Sequence, residues 1–289
     1  MIYSNNIKII ECPRDAMQGL HDFIPTEKKV LYINKLLKAG FDTLDFGSFV
    51  SHKAIPQMRD TEQVLEQLDL NGVDTKLLAI IANTRGAENA VNLKKISYLG
   101  FPLSLSETFQ QKNTNKSIKE AFNEVSDIQK ICLKHNKKLV TYISMGFGNP
   151  YDDPYDMNYV TEFVEKLRTM GINIISLADT IGVSNPQNIH YLFSSLIDKF
   201  PNIEFGAHLH SNPNTAIEKI AAAYKAGCRR FDGAIKGFGG CPMADDELVG
   251  NIATENMLAY FDSENIHTSI KKTEFEEALK LSADIFPIH

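Results

Sequence analysis

Two histidines separated by one residue are the strongest chemical signal in this sequence. His208 and His210 lie in the segment GAHLH, at the end of an apolar run of strand length. Side chains at positions i and i+2 of an extended strand point to the same face, so both imidazoles can reach one metal ion at about 2.0–2.2 Å. A single histidine here would more often be a core residue, whereas the pair favours a metal site.

Asp15 and Asn251 can complete the ligands of such an ion. Arg14 and Asp15 follow the first apolar run, and this adjacent pair taken alone would be equally well explained as a structural ion pair. A hard cation such as Mg²⁺ or Mn²⁺ needs oxygen ligands beside two imidazoles, and an aspartate and an asparagine supply them. The sequence therefore predicts an Mg²⁺ or Mn²⁺ site whose open positions accept a substrate. Its ligands are Asp15, His208, His210 and Asn251.

A glycine-rich segment near the end of the chain carries a cysteine. It reads GFGGCP over residues 237–242, so three glycines make a pliable loop that can approach a ligand, and Cys241 lies at its tip. A tight turn needs no thiol, and a thiol near an arginine or a metal has its thiolate form favoured. We therefore expect Cys241 to be catalytic. The remaining cysteines, Cys12, Cys132 and Cys228, are expected to be packing residues.

The elements that position these residues alternate short apolar runs with amphipathic segments. Eight runs predict strands: Ile7–Glu11, Thr43–Gly47, Lys76–Ala82, Tyr98–Leu105, Lys138–Met145, Asn173–Asp179, Ile203–Leu209 and Arg229–Asp232. Helices are predicted over Thr26–Lys38, Ala54–Gln67, Ser117–Lys134, Met157–Thr169, Pro186–Lys199 and Asn214–Ala226. Three helices end in a small residue and a glycine before a strand that ends in a carboxylate, which is a weak internal repeat.

Eight strand–helix units predict a (β/α)₈ TIM barrel, because each helix returns the chain to the start of a parallel sheet. The glycine motif of a nucleotide-binding open sheet is missing from the sequence. We expect one domain over 1–289, with the barrel at about 5–255 and C-terminal helices at about 256–289. The C-terminal ends of barrel strands carry the chemistry in this fold, and Asp45, Ser48 and Asp179 lie at such ends. Either aspartate could instead cap the following helix.

Composition restricts the class of protein. The chain has 289 residues, 43% of them hydrophobic, and 30 basic residues nearly balance 36 acidic ones. This composition is that of a globular protein, and the scattered basic pairs do not suit nucleic-acid binding. No apolar stretch has the length of a membrane span or a signal peptide, and the four cysteines show no disulfide-like pairing, so we expect a cytoplasmic location.

The motifs together resemble those of the 3-hydroxy-3-methylglutaryl-CoA lyase family, which belongs to the metal-dependent aldolase-type TIM-barrel lyases. The matching segments run through nearly the whole chain: IKIIECPRDAMQ, SFVSHKAIPQM, ISLADTIGV, AHLH, GFGGCP and GNIATE. The wider superfamily, including Claisen-type synthases, shares the Arg-Asp and His-x-His motifs. The cysteine-bearing glycine loop is the more specific signal, and it resembles the lyase branch.

The resemblance implies an activity and a role for each matching residue. The activity is metal-dependent cleavage of 3-hydroxy-3-methylglutaryl-CoA to acetoacetate and acetyl-CoA, most often by a homodimer. Arg14 would stabilise the enolate oxygen and Cys241 would transfer a proton. His208, Asp179 and Asp45 would be further catalytic residues, while Gln18, Ser48 and Lys236 would bind substrate. Lys236 is the first candidate to attract the CoA phosphates, because the net charge of the chain is −6.

Some positions depart from the family pattern, and other functions remain open. Ala16 replaces the usual glycine, Asp45 the commoner glutamate and His21 a basic residue that is often lysine. These changes affect substrate fit more than the metal ligands. The chain could be another acyl-CoA lyase or a Claisen-type synthase that acts on a different acid. A barrel that only binds a ligand, without catalysis, is the alternative outside enzymes.

Overall fold

Eight parallel strands close into a barrel in the computed structural model, which describes residues 6–240 and 249–286. Each strand pairs with the next along the chain, and Lys8 of β1 lies opposite Arg230 of β8 to close the ring. The strands are β1 (Lys8–Glu11), β2 (Thr43–Ser48), β3 (Lys76–Ile80), β4 (Ile96–Ser104), β5 (Lys138–Ser144), β6 (Ile174–Asp179), β7 (Glu204–Ser211) and β8 (Arg230–Gly233). A short β9 (Gly250–Asn251) runs antiparallel to β7. The prediction of a (β/α)₈ TIM barrel is confirmed.

Helices cover the outside of the barrel. They are α1 (Pro13–Gln18), α2 (Thr26–Lys38), α3 (Thr61–Gln67), α4 (Thr84–Val91), α5 (Glu107–Thr114), α6 (Ile118–Lys134), α7 (Met157–Thr169), α8 (Pro186–Lys199), α9 (Ala216–Lys225), α10 (Thr254–Ser263) and α11 (Lys272–Ile285). Capping residues in the sequence mark where some of these helices begin and end. Ser117 and Glu120 form a capping box at the start of α6, and Gly171, with φ of 80°, follows the end of α7.

The structure corrects one predicted helix. The segment Ala54–Gln67 forms a 3₁₀ turn over Pro56–Met58 and then α3, instead of one helix. Pro56 has no N–H to donate and disfavours helical geometry at Ile55, which has φ of −130° and ψ of 80°. The short helices α1, α4 and α5 were not predicted, because their apolar periodicity is too brief to detect.

Two apolar layers hold the barrel together. The larger one packs the outward faces of the strands against the helices and includes the fully buried Phe193 and Phe231. A smaller cluster alternates with it along the strands, and Ile80 and Tyr142 belong to it. Alternate residues of a strand face opposite sides, so this second cluster lies inside the barrel.

The C-terminal helices return to the start of the barrel. The Phe286 ring meets the Tyr32 ring of α2 edge-on at 5.7 Å, and Phe275 of α11 packs on Phe41 at 6.3 Å. The predicted C-terminal helical extension is confirmed. None of the helices within 6–240 and 249–286 is both long and apolar enough to cross a membrane.

Candidate active site

His208 and His210 point from β7 into the open end of the barrel. Their ring centroids are 5.3 Å apart, and both rings line a cavity of about 430 Å³. Each Nδ1 already has a partner: that of His208 lies 3.2 Å from Asp232 Oδ2, and that of His210 lies 3.1 Å from the Thr180 carbonyl oxygen. Both Nε2 atoms are therefore left for a ligand. The His210 Nε2 is buried and has no hydrogen-bond partner.

The surroundings of the two imidazoles set their charge. Burial, and then the neighbouring His208, lower the pKa of His210 to about 4, which keeps this ring neutral. Burial also acts to lower the pKa of His208, but the hydrogen bond and charge of Asp232 outweigh it, and the net shift is upward. A carboxylate that accepts from the far nitrogen of a ligating histidine fixes its tautomer and increases its basicity.

Asp15 and Asn251 lie beside the histidines, and Asn251 of β9 pairs with His210 across the two strands. The ligand atoms of Asp15 and both histidines all lie within 4.8 Å of one another, and Asn251 Nδ2 donates to Asp15 Oδ2 at 2.6 Å. The glycine loop packs directly behind them. A Cβ on Gly239 would lie 2.6 Å from Asn251 Nδ2 and 2.9 Å from the Asp15 carbonyl oxygen, so only glycine fits.

Arg14 is held rigidly beside this cluster. Its guanidinium forms a bidentate ion pair with Asp45, and its Nη1 donates to Asp15 Oδ1 at 2.9 Å and to Gln18 Oε1 at 2.8 Å. Burial raises the pKa of Asp45 to about 6 against the opposing effect of Arg14. Burial acts in the same direction on Asp15, but the charges of Arg14 and the histidines prevail, and the pKa of Asp15 is lowered. The site thus keeps an ionised carboxylate beside two imidazoles.

These residues fit a divalent cation. An ionised carboxylate, two histidines with free Nε2 atoms and an adjacent amide form the oxygen and nitrogen set that suits Mn²⁺, Mg²⁺ or Zn²⁺. A second group, Cys12, His208 and Asp232, is also close enough to share an ion. Burial, together with the charges of Asp232 and Asp45, raises the pKa of Cys12 well above its usual value. In the metal-free protein its sulfur is therefore a thiol, and forming the thiolate that a metal needs is costly at this position.

Other predicted site residues lie elsewhere. Asp179 is buried behind the cavity, in an ion pair with Lys219, and does not line the cavity. Ser48 is also buried, and its Oγ accepts a hydrogen bond from the Val50 backbone N–H at 3.2 Å. Lys236 is exposed outside the cavity and has φ of 59°. Cys241 lies outside the described residues.

The cavity includes residues that the sequence analysis did not select. Its apolar wall comes from β3, β4 and the segment before α3, and its floor contains Tyr142, whose ring meets the His208 ring edge-on at 5.6 Å. Lys112 and Asn113 of α5 also line it. Residues i and i+2 of a strand face the same side, so Tyr142 shares a face of β5 with Ser144. This alternation is the sequence feature from which Tyr142 could have been predicted.

Glu11 ties the end of β1 to the segment after β8. It accepts hydrogen bonds from the Ile235 backbone N–H at 2.8 Å and from Thr254 Oγ1 at 2.5 Å. Burial raises its pKa from 4.5 to about 8, against the effect of those hydrogen bonds. The folded state then binds this proton more tightly than the unfolded state, so the contribution of Glu11 to stability is fully present below pH 4.5 and is lost as the pH rises through about 8.

Replacing Glu11 by glutamine should remove this pH dependence. Relative to Glu11→Gln, the wild-type chain should lose on the order of 4 kcal/mol of unfolding free energy between pH 4.5 and pH 8. Urea denaturation of both chains in the presence of a chelator measures the difference without a contribution from metal binding. Parallel pH profiles for the two chains would show that Glu11 is ionised in the folded state.

Comparison with known protein families supports the motif assignment. The HMGL-like family model matches residues 6–281. The chain is 34% identical over 281 residues to the hydroxymethylglutaryl-CoA lyase YngG of Bacillus subtilis. This alignment covers 97% of this chain and 93% of that protein. The chain is 32% identical to the mitochondrial hydroxymethylglutaryl-CoA lyase of Mus musculus, over 94% of this chain and 83% of that protein.

Solved structures agree with these matches. An HMG-CoA lyase from Bacillus subtilis superposes with a TM-score of 0.91 at 32% identity, over 98% of this chain and 95% of the other. An HMG-CoA lyase from Acinetobacter baumannii, in complex with coenzyme A and 3-methylmalate, superposes with a TM-score of 0.90 at 30% identity. The match covers 99% of this chain and 92% of the other. Both the length of the match and the shared fold confirm the resemblance predicted from the motifs. This chain belongs to the HMGL-like family of enzymes.

Proposed function

We propose that this chain is a divalent-metal-dependent carbon–carbon lyase that cleaves 3-hydroxy-3-methylglutaryl-CoA to acetoacetate and acetyl-CoA. One observation carries the proposal: the unpartnered Nε2 of His210, the Asp15 carboxylate and the Arg14 guanidinium converge on one cavity at the C-terminal end of the barrel. The names of the two relatives described above, both hydroxymethylglutaryl-CoA lyases, support the same substrate.

Asp15, His208, His210 and Asn251 would hold the cation. When bound, Mg²⁺ or Mn²⁺ supplies Lewis-acid stabilisation of developing negative charge on substrate oxygens. The protein fixes these ligands before binding, because each imidazole has an Nδ1 partner and Asn251 already contacts Asp15. Such preorganisation avoids the cost of reorienting dipoles during the reaction.

The reaction is a retro-Claisen cleavage. The tertiary hydroxyl loses its proton, its electron pair forms the ketone of acetoacetate, and the bond between the hydroxyl-bearing carbon and the carbon next to the thioester breaks. The electrons of that bond form the acetyl-CoA enolate, which is then protonated at carbon. His208 is proposed to act in this proton loss as a ligand of the cation, because Asp232 occupies its Nδ1 and only its Nε2 is left for a ligand in the cavity.

Arg14 and Cys241 serve the second half of the reaction. The Arg14 guanidinium lines the cavity and is oriented by the bidentate contact with Asp45, so it can stabilise the enolate oxygen. Asp45 thus acts by orienting Arg14. We assign the proton donated to the enolate carbon to Cys241, on the sequence of its glycine loop, whose first part packs against Asn251.

The acyl-CoA substrate needs more than the metal ligands. A cavity of about 430 Å³ is in the range of small-molecule sites, and we propose that it holds the acyl group and the start of the pantetheine arm. Gln18 lines it and is proposed to contact the acyl group, with Ser48 supporting the wall from behind. The exposed Lys236 is proposed to attract the CoA phosphates. A homodimer and a cytoplasmic location remain part of the proposal.

A substrate panel tests this assignment. The purified chain with Mg²⁺ or Mn²⁺ should release acetoacetate from 3-hydroxy-3-methylglutaryl-CoA faster than it cleaves other 3-hydroxyacyl thioesters. Preferred cleavage of another thioester would identify a related acyl-CoA lyase. Condensation of acetyl-CoA with a 2-oxo acid, without cleavage, would identify a Claisen-type synthase instead.

A further inference from the structure

Lys219 is a buried lysine directly behind the candidate metal site. Its side chain, on α9, is only 4% exposed. The ammonium group donates to Asp179 Oδ2 at 3.0 Å, to the Gly182 carbonyl oxygen at 3.1 Å and to the His210 carbonyl oxygen at 2.9 Å. An ammonium has three donors, so this geometry uses them all.

The three acceptors belong to the ends of two neighbouring strands. Asp179 ends β6 and lies opposite Leu209 of β7, while Gly182 is in the turn that follows β6. The same turn provides the Thr180 carbonyl oxygen that accepts from His210 Nδ1 at 3.1 Å. Lys219 therefore joins the backbone of His210 to the segment that orients the His210 ring.

The Asp179 carboxylate has contacts that favour a role behind the cavity. Its Oδ2 accepts from the Ser184 backbone N–H at 3.1 Å and from Ser184 Oγ at 2.5 Å, in addition to Lys219. Asp179 is 1% exposed and is not among the described residues that line the cavity. It cannot touch a substrate in this arrangement, but it can hold the lysine in place.

We infer that Lys219 and Asp179 are positioning residues that aim the His210 imidazole at the metal ion. The inference rests on the proposed function, which makes His210 a ligand. Without the ammonium, each of the three acceptors loses a donor, Asp179 Oδ2 keeps only those of Ser184, and the turn after β6 loses one of its ties to β7. The Thr180 carbonyl would then hold the His210 ring less firmly, and the ion would be bound less tightly.

Binding of Mn²⁺ to the metal-free protein tests the inference without using activity. Free Mn²⁺ is measured by its electron paramagnetic resonance signal during titration of the wild type and of Lys219→Met. Loss of a residue that orients a ligand typically weakens metal binding about 10–100-fold, and that is the expected effect. Turnover should fall at limiting Mn²⁺ and recover in part when Mn²⁺ is raised to saturation.

Lys95→Met is the matched control. Lys95 also donates to three carbonyl oxygens, those of Leu65, Glu66 and Leu68, at 2.9, 2.9 and 2.8 Å. It precedes β4, at the opposite end of the barrel from the candidate site. This variant should bind Mn²⁺ like the wild type, and an equal loss of affinity would overturn the inference by showing a general effect of destabilisation.

A double variant separates positioning from stability. Lys219→Met leaves the Asp179 carboxylate buried without its cation, and this can lower the thermal stability or prevent folding. Adding Asp179→Asn removes that charge, so the double variant should regain stability while its Mn²⁺ affinity stays low.

Wild-type affinity in a folded variant that lacks Lys219 would overturn the inference. If the wild type cleaves the substrate with bound Mn²⁺ and the variants bind Mn²⁺ as tightly as the wild type, only the inference fails. If the wild type does not bind Mn²⁺, the proposed function fails as well.

Discussion

Replacement of His208 by alanine is expected to remove both metal and activity. The variant loses one of the two free Nε2 atoms, and the Asp232 carboxylate loses the partner that lies 3.2 Å away. Without the cation, charge that develops on the substrate oxygens has lost its main stabilisation, so turnover should fall by roughly 10³-fold or more. Metal analysis of the purified variant and a steady-state assay check the two effects.

The exposed His190 of α8 provides the control for this variant. It lies on the outer face of the barrel, so His190→Ala should keep both the metal content and the turnover of the wild type. A His208→Ala variant that retains a full complement of metal and normal turnover would contradict the assignment of His208 as a ligand.

Replacement of Cys241 by serine is expected to lower turnover without changing the metal content. Serine has nearly the same size, but its hydroxyl is a far weaker acid than a thiol. Loss of a proton donor typically costs about 10²–10⁴-fold in rate, and turnover should fall by that factor while the metal content is unchanged. Parallel metal analysis and acetoacetate assays measure the two quantities.

Cys132→Ala is the control variant, which loses a thiol outside the glycine loop. Cys132 is buried on α6, and burial raises its pKa to about 12, so its sulfur is inert and the variant should keep normal turnover. If Cys241→Ser also keeps near-normal turnover, the loop thiol has a structural role and the proton must come from another group.

Much of the fold was predictable from local patterns. The apolar runs repeat with each strand–helix unit, and three of the units also have a helix-ending glycine, so the barrel followed from the order of elements alone. His208 and His210 were predictable because a strand fixes the direction of residues at i and i+2. The break at Pro56 was visible in the sequence but was outweighed by the apolar spacing of the residues around it.

The supporting contacts of the site were not predictable in the same way. Lys219 occurs in an ordinary helical segment, and its partners lie 40, 37 and 9 residues away along the chain. Only the packing of α9 against β7, next to the end of β6 and the turn that follows it, brings them together. Asp179 was recognised as a carboxylate at a strand end, but whether such a group faces the cavity or the layer behind it depends on that packing.

The most direct test of the account is metal-dependent cleavage by the protein itself. Metal-free enzyme is mixed with 3-hydroxy-3-methylglutaryl-CoA, and acetoacetate and acetyl-CoA are measured before and after addition of Mn²⁺. The account predicts negligible product before the addition, and afterwards equal amounts of both products at a rate that saturates with Mn²⁺. Cleavage at the same rate without any divalent cation, or no cleavage with it, would contradict the account.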